Sequence, residues 1–275
     1  GNRSQVVRIF MLISSLLAGA ILNSFKDSNL FNGFALIFCI GILANFGCIF
    51  YLKRQYEPED TVDDEESKVD DSVGTLTGKL KRFIAYDSLS EFSFHVSGPL
   101  MMVYWLRDLQ FNYIELAILI NVSQILGLFS MRYWGKRIDS TGSYNAIRFT
   151  SFWIAIFPLF WVGLFYLPKE LSLPGAIVIA SLASLMFSGR ALALDNRLYE
   201  HMENKKMIKV TSKRIFFRGL SIFIGGLIGG LLTREEINLV SITYLDNVIH
   251  FVMIFSAVLR LSVWGAFLGS KNSQI

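Results

Sequence analysis

Asp87, Glu91 and His95 follow one another at intervals of four residues, the spacing that brings side chains onto one face of an α-helix. Two carboxylates and an imidazole on one stripe can take up and release protons or hold a polar solute. They fall inside an apolar run over residues 83–106. At 1.5 Å of rise per residue from Phe83, Glu91 lies ~12 Å and His95 ~18 Å into a spanning helix, His95 near its midplane and one turn before Gly98-Pro99. Ionisable groups at such depth cost several kcal/mol and mark ion or solute pathways by default. A structural reading stands beside this one: Asp87 and Glu91 at the interface, favouring the positive end of the helix, with His95 a hydrogen-bonded packing residue.

Other polar residues inside apolar runs extend the set. Asn121 and Gln124 share a face of the next run and suit either a polar solute or helix-to-helix hydrogen bonds. Arg190 and Asp195 occupy the inner half of the run at 173–195, where an inner gate, an internal ion pair or a snorkelling helix end are alternatives. Arg260 starts ~12 Å from the end of the last run and is expected to snorkel or to find a structural partner. Cys39 and Cys48 match no zinc or redox spacing, and with three histidines in the chain no metal or cofactor is expected. Gly-x-Ser-x-Gly and a phosphate-cradling glycine loop are absent from the sequence, so an enzyme or a direct user of ATP is not expected.

The elements that must position these groups are membrane helices. Apolar residues make up 53% of the chain and charged ones 17%, below the roughly 25% of soluble domains, and the mean hydropathy is +0.46. Eight runs have the ~20-residue length of a transmembrane helix: 6–25, 31–52, 83–106, 112–134, 147–167, 173–195, 215–233 and 247–268. With the N-terminus in the cytoplasm, 21 of the 26 Lys and Arg fall on the inner side and 4 on the outer, Arg260 being within a span. That asymmetry predicts both termini inside. The runs are too long and too continuously apolar for β-barrel strands, and the basic residues form no stripe that would suit nucleic acid. The partner expected from this composition is a lipid bilayer, to which the stripe of Glu91 and His95 adds a small solute and protons.

One loop is long. Residues 53–82 are acidic from Glu57 to Asp71 and then basic and amphipathic from Val73 to Ile84, which predicts a disordered linker leading to a short helix on the inner surface. The chain thus divides into two spans (1–52), a linker (53–82) and six spans (83–275).

Two motifs add to this 2 + 6 pattern. Gly135-Lys136-Arg137-Ile138-Asp139-Ser140-Thr141-Gly142 places an acid between two glycines at the inner end of the fourth run, as in a tight turn. Gly225-Gly226 and Gly229-Gly230 repeat at helical spacing and suit close helix packing. The first resembles the signature loop of the major facilitator superfamily in the copy between helices 8 and 9, with Ser140 where the family has a basic residue. Gly98-Pro99 with Tyr104-Trp105 resembles the end of helix 7 of bacterial permeases in that superfamily, and the paired glycines resemble helix 11. The resemblance implies an all-α membrane protein whose eight spans correspond to family helices 5 to 12: a complete C-terminal six-helix bundle and the last two helices of the N-terminal one. Four helices are then expected ahead of Gly1, and a complete transporter would need them. It also implies a secondary transporter in a bacterial inner membrane, working by alternating access and driven by protons. The alternative is a sensor or assembly factor built on the same fold.

Overall fold

The computed structural model describes residues 2–25, 29–52, 54, 78–200, 207–233 and 247–269, and every regular element among them is helical. The acidic stretch from Glu57 to Asp71 lies outside the described residues. The helices are α1 (Asn2–Ser24), α2 (Leu30–Leu52), α3 (Gly78–Ser97), α4 (Leu100–Val103), α5 (Tyr113–Thr141), α6 (Ser143–Phe165), α7 (Lys169–Glu200), α8 (Met207–Leu232) and α9 (Val248–Leu268). Among the described residues six are long and apolar enough to cross a bilayer: α2, α5, α6, α7, α8 and α9. The expectation of eight such spans meets two exceptions. In α1 the apolar part is short, Ile13–Ser24. In α3, Ser88, Ser90, Ser93 and Ser97 join Asp87, Glu91 and His95, so a helix placed where a span was expected is too polar to register as one.

The described residues form two bodies, 1–75 with 112–121 and 76–111 with 122–275. In the first, Gly19 of α1 meets the start of α5 so closely that a Cβ there would stand 2.9 Å from the Ala117 Cβ. Ser15 Oγ donates to Asn121 Oδ1 at 2.9 Å, and Asn121 Nδ2 donates to the Ala117 carbonyl at 2.6 Å. Large apolar side chains are exposed all along α2, Phe31, Phe38, Leu43, Phe46 and Tyr51 among them. A helix apolar on every side belongs among lipids or other helices.

In the second body the pairs of touching residues give the helix directions. Asp87 meets Arg214 and Glu91 meets Arg218, so α3 and α8 run parallel. Ser97 meets Ser256 while Tyr86 meets Phe267, so α3 and α9 run antiparallel. Phe94 meets Phe187 while Asp87 meets Arg190, so α3 and α7 are antiparallel too. Successive helices that cross a layer in alternate directions must pair in this way. Within lipid, close packing and hydrogen bonds hold helices together, and α8 supplies the closest approach. A Cβ on Gly229 would collide with the Val96 carbonyl oxygen, and one on Gly225 would stand 2.6 Å from that of Phe92. Gly226 and Gly230 sit on other sides of the helix and meet far less. Only half of the paired-glycine motif therefore makes the close contact.

Two prolines interrupt the frame. Gly98 and Pro99 end α3, since proline brings no N–H to the helix and the preceding residue avoids the helical region. The chain resumes as α4 and a π-helical turn, Tyr104–Asp108, whose widened spacing shows in the bond from Leu109 N to the Tyr104 carbonyl at 3.0 Å. Pro158 lies inside α6 and leaves the Ile154 carbonyl, four residues earlier, without its helical donor.

Candidate functional site

The serine-rich stripe of α3 is the centre of the second body, and its two carboxylates are buried. Asp87 is 0% and Glu91 5% exposed. Asp87 Oδ2 accepts from Arg214 Nε at 2.7 Å and Oδ1 accepts from Arg190 Nη2 at 3.4 Å. Glu91 Oε1 accepts from Arg190 Nη1 at 3.4 Å and pairs with Arg218 Nη2 at 3.1 Å. On the outer flank Arg214 Nη1 donates to Asp195 Oδ1 at 3.1 Å. Three carboxylates thus face three guanidiniums across α3, α7 and α8.

His95 closes the row. Its Nδ1 lies 2.9 Å from the Glu91 carbonyl and 3.7 Å from Glu91 Oε2. A carbonyl only accepts, so this contact puts the imidazole proton on Nδ1 and leaves Nε2 to take up another.

The local geometry follows from spacing. Arg214, Arg218, Gly225 and Gly229 recur on one face of α8, matching Asp87, Glu91 and Val96 of α3 turn for turn because the helices are parallel. The glycines bring the backbones together, and the arginines cross the wider part of the interface. Arg190 enters from α7 beside Gly189, whose missing side chain makes room for the Trp134 ring, which a Cβ there would strike. Trp134 Nε1 donates to the Leu185 carbonyl at 2.8 Å and fixes that fit.

The sequence-predicted residues divide accordingly. Asp87, Glu91, His95, Arg190 and Asp195 come together in one network. Asn121 belongs to the first body, where it holds Ser15, and Gln124 is half-buried three residues further along α5. Gly135 and Asp139 lie within α5, which continues to Thr141, so the turn expected over 135–142 is confined to Gly142. There φ is +84°, a conformation that glycine takes without a Cβ penalty. The Asp139 side chain is exposed.

Two arginines of the cluster, Arg214 and Arg218, are absent from the sequence-based set. Their recurrence with the α8 glycines is the signal that could have found them. Arg260 takes the second of its two expected courses: it does not snorkel but finds structural partners, none of them a carboxylate among the described residues. It is 9% exposed, and its guanidinium donates to Ser256 Oγ at 3.1 Å, Ser97 Oγ at 3.1 Å, the Ile154 carbonyl at 3.1 Å and the Phe94 carbonyl at 3.4 Å.

No family model matches the chain, and no curated protein matches it. Among solved structures it is similar to the one described as "Structure of a bacterial metal transporter", with a TM-score of 0.62 at 15% identity. The match covers 92% of this chain and 61% of that one, so the chain spans about three-fifths of that transporter's length. At this identity the likeness is one of fold. With six apolar helices of spanning length among the described residues, all of whose regular elements are helical, the chain is a helical membrane protein whose fold is like that of part of a transporter.

Proposed function

We propose that the chain is the larger part of a secondary active transporter of the major facilitator type, moving a small solute across a bacterial inner membrane by alternating access with proton coupling. In this reading α1 and α2 end the N-terminal bundle, and α3 to α9 make up the C-terminal one, with α3 and α4 a single broken span. Both termini are cytoplasmic, and no catalytic step is involved. The observation that carries the reading is the buried, charge-balanced cluster of Asp87, Glu91, Arg190 and Arg214. Ion pairs so deep stabilise a fold poorly for what they cost in desolvation, and their usual place in membranes is on ion and solute pathways.

The cluster suggests how coupling works. With Glu91 ionised, Arg190 and Arg218 are held to α3. A proton on Glu91 cancels its charge and frees Arg218, which is 45% exposed at its side chain, to leave. His95, one turn away and 35% exposed, is the group through which that proton reaches Glu91.

The structural neighbour favours a second reading of the cargo, a metal cation. Uptake into liposomes holding the full protein, measured with sugars, amino acids and Mn²⁺ under an imposed pH gradient, tests both. The proposal expects one solute class to accumulate and to stop when the gradient is collapsed. Accumulation indifferent to the gradient would remove proton coupling. No transport of any class would favour the sensor or assembly-factor alternative.

A further inference from the structure

Phe94 is where the charged side of α3 meets its neutral side. The Arg190 guanidinium carbon lies over its ring, 4.8 Å from the centroid, and that of Arg260 lies over it at 4.9 Å. Phe187 of α7 packs on it edge-on at 5.5 Å. Two cations thus share one aromatic quadrupole, each attracted to the ring and each repelling the other.

Arg260 in turn holds both proline breaks. Its Nη1 donates to the Ile154 carbonyl, the one that Pro158 leaves without a helical donor. Its Nη2 donates to the Phe94 carbonyl and Ser97 Oγ, in the last turn of α3 before Gly98-Pro99, where a cation is favoured by the helix dipole. One guanidinium therefore ties α9 to the interruption in α6 and to the end of α3.

We infer that Phe94 and Arg260 are positioning residues that pass the charge state of the Asp87–Glu91 cluster to the break at Gly98-Pro99. The use of this coupling in a cycle rests on the transport reading above, whereas the coupling itself is a property of the fold. While Asp87 and Glu91 are ionised, they neutralise Arg190, and Arg260 keeps its bonds to the end of α3. When Glu91 loses its charge, Arg190 is less compensated and its repulsion of Arg260 across Phe94 grows. The bonds to the Phe94 carbonyl and Ser97 loosen, and α4 is freed to move against α3. The charged groups around this path are Asp87, Glu91 and His95 on α3, Arg190 and Asp195 on α7, Arg214 and Arg218 on α8, and Arg260 on α9.

Amide hydrogen exchange of the full protein in lipid nanodiscs, followed by mass spectrometry with no solute and no gradient, tests the coupling. The readout is the stretch Leu100–Tyr104. Glu91→Gln should speed its exchange about tenfold, the scale of one desolvated cation–π contact. In a Phe94→Leu background, where no ring holds the two guanidiniums near one another, the same change should have a much smaller effect, and Phe94→Trp should restore the response. Arg260→Lys keeps the charge but loses the forked bonds, and it should speed the stretch by itself. Glu91→Gln added to Arg260→Lys should then speed it little further, and that pair decides if the Phe94→Leu protein does not fold. An equal response to Glu91→Gln with leucine or phenylalanine at position 94, no response at all, or an unchanged stretch in Arg260→Lys would each overturn the inference. Because no transport is measured, a failed uptake experiment and a failed coupling experiment are separate results.

Discussion

The two sides of α3 hold buried arginines in opposite ways. Toward α7 and α8, Arg190 and Arg214 are neutralised by Asp87 and Glu91. Toward α6 and α9, Arg260 is held by carbonyls and serine hydroxyls. The first arrangement depends on ionised carboxylates, since a carboxylate that takes up a proton releases its partner. The second holds Arg260 with carbonyls and hydroxyls alone, so protons act on it only indirectly, through the charge of Arg190 at the Phe94 ring. One helix thus carries an ion-paired side, open to switching by protons, and a fixed side held by neutral groups.

The largest effect should come from breaking the switched side. Asp87→Asn removes the charge facing Arg214 and Arg190 and should cost about 3–5 kcal/mol, the range for a buried pair stripped of one partner; thermal unfolding in detergent would show it. An unchanged melting temperature would mean that the arginines are compensated elsewhere. Next is the frame that aligns the switch. Gly229→Ala should cost about 1–3 kcal/mol, since its methyl collides with the Val96 carbonyl, whereas Gly230→Ala should stay within about 0.5 kcal/mol.

The fixed side should break more gently. Arg260→Met removes a costly buried charge along with its bonds, leaving the unpaired Ile154 carbonyl as the main loss, about 1 kcal/mol. Adding Pro158→Ala restores an N–H for that carbonyl and should recover part of it, which the same unfolding measurement reads. A loss as large as that of Asp87→Asn would erase the distinction between the two sides. Smallest of all, Asp139→Asn should leave stability within about 0.5 kcal/mol, because that side chain is exposed.

Spacing makes one half of the switch readable in the sequence and hides the other. Asp87, Glu91 and His95 interrupt an apolar run, so their four-residue interval stands out, and Gly98-Pro99 announces the break. On apolarity alone, Arg214 flanks the inner end of a run that starts near residue 215, and Arg218 lies in the first turn of that run. Apolarity reports the part of a helix in hydrocarbon and not its ends, and α8 begins at Met207, two turns earlier. That extension turns both arginines into residues of one helix face. The role of Arg260 is hidden for a different reason. Its partners include the Ile154 and Phe94 carbonyls, groups that every residue carries, and only the fold brings them to α9.

Proton movement in liposomes loaded with a pH-sensitive dye tests the central claim most directly, using the full protein and a solute that it transports. The account predicts that adding the solute changes the internal pH in the wild type. In Glu91→Gln, solute exchange should continue while the pH change disappears. Glu91→Gln vesicles that still move protons together with the solute would contradict the account, because the charge that it assigns to coupling would then be dispensable.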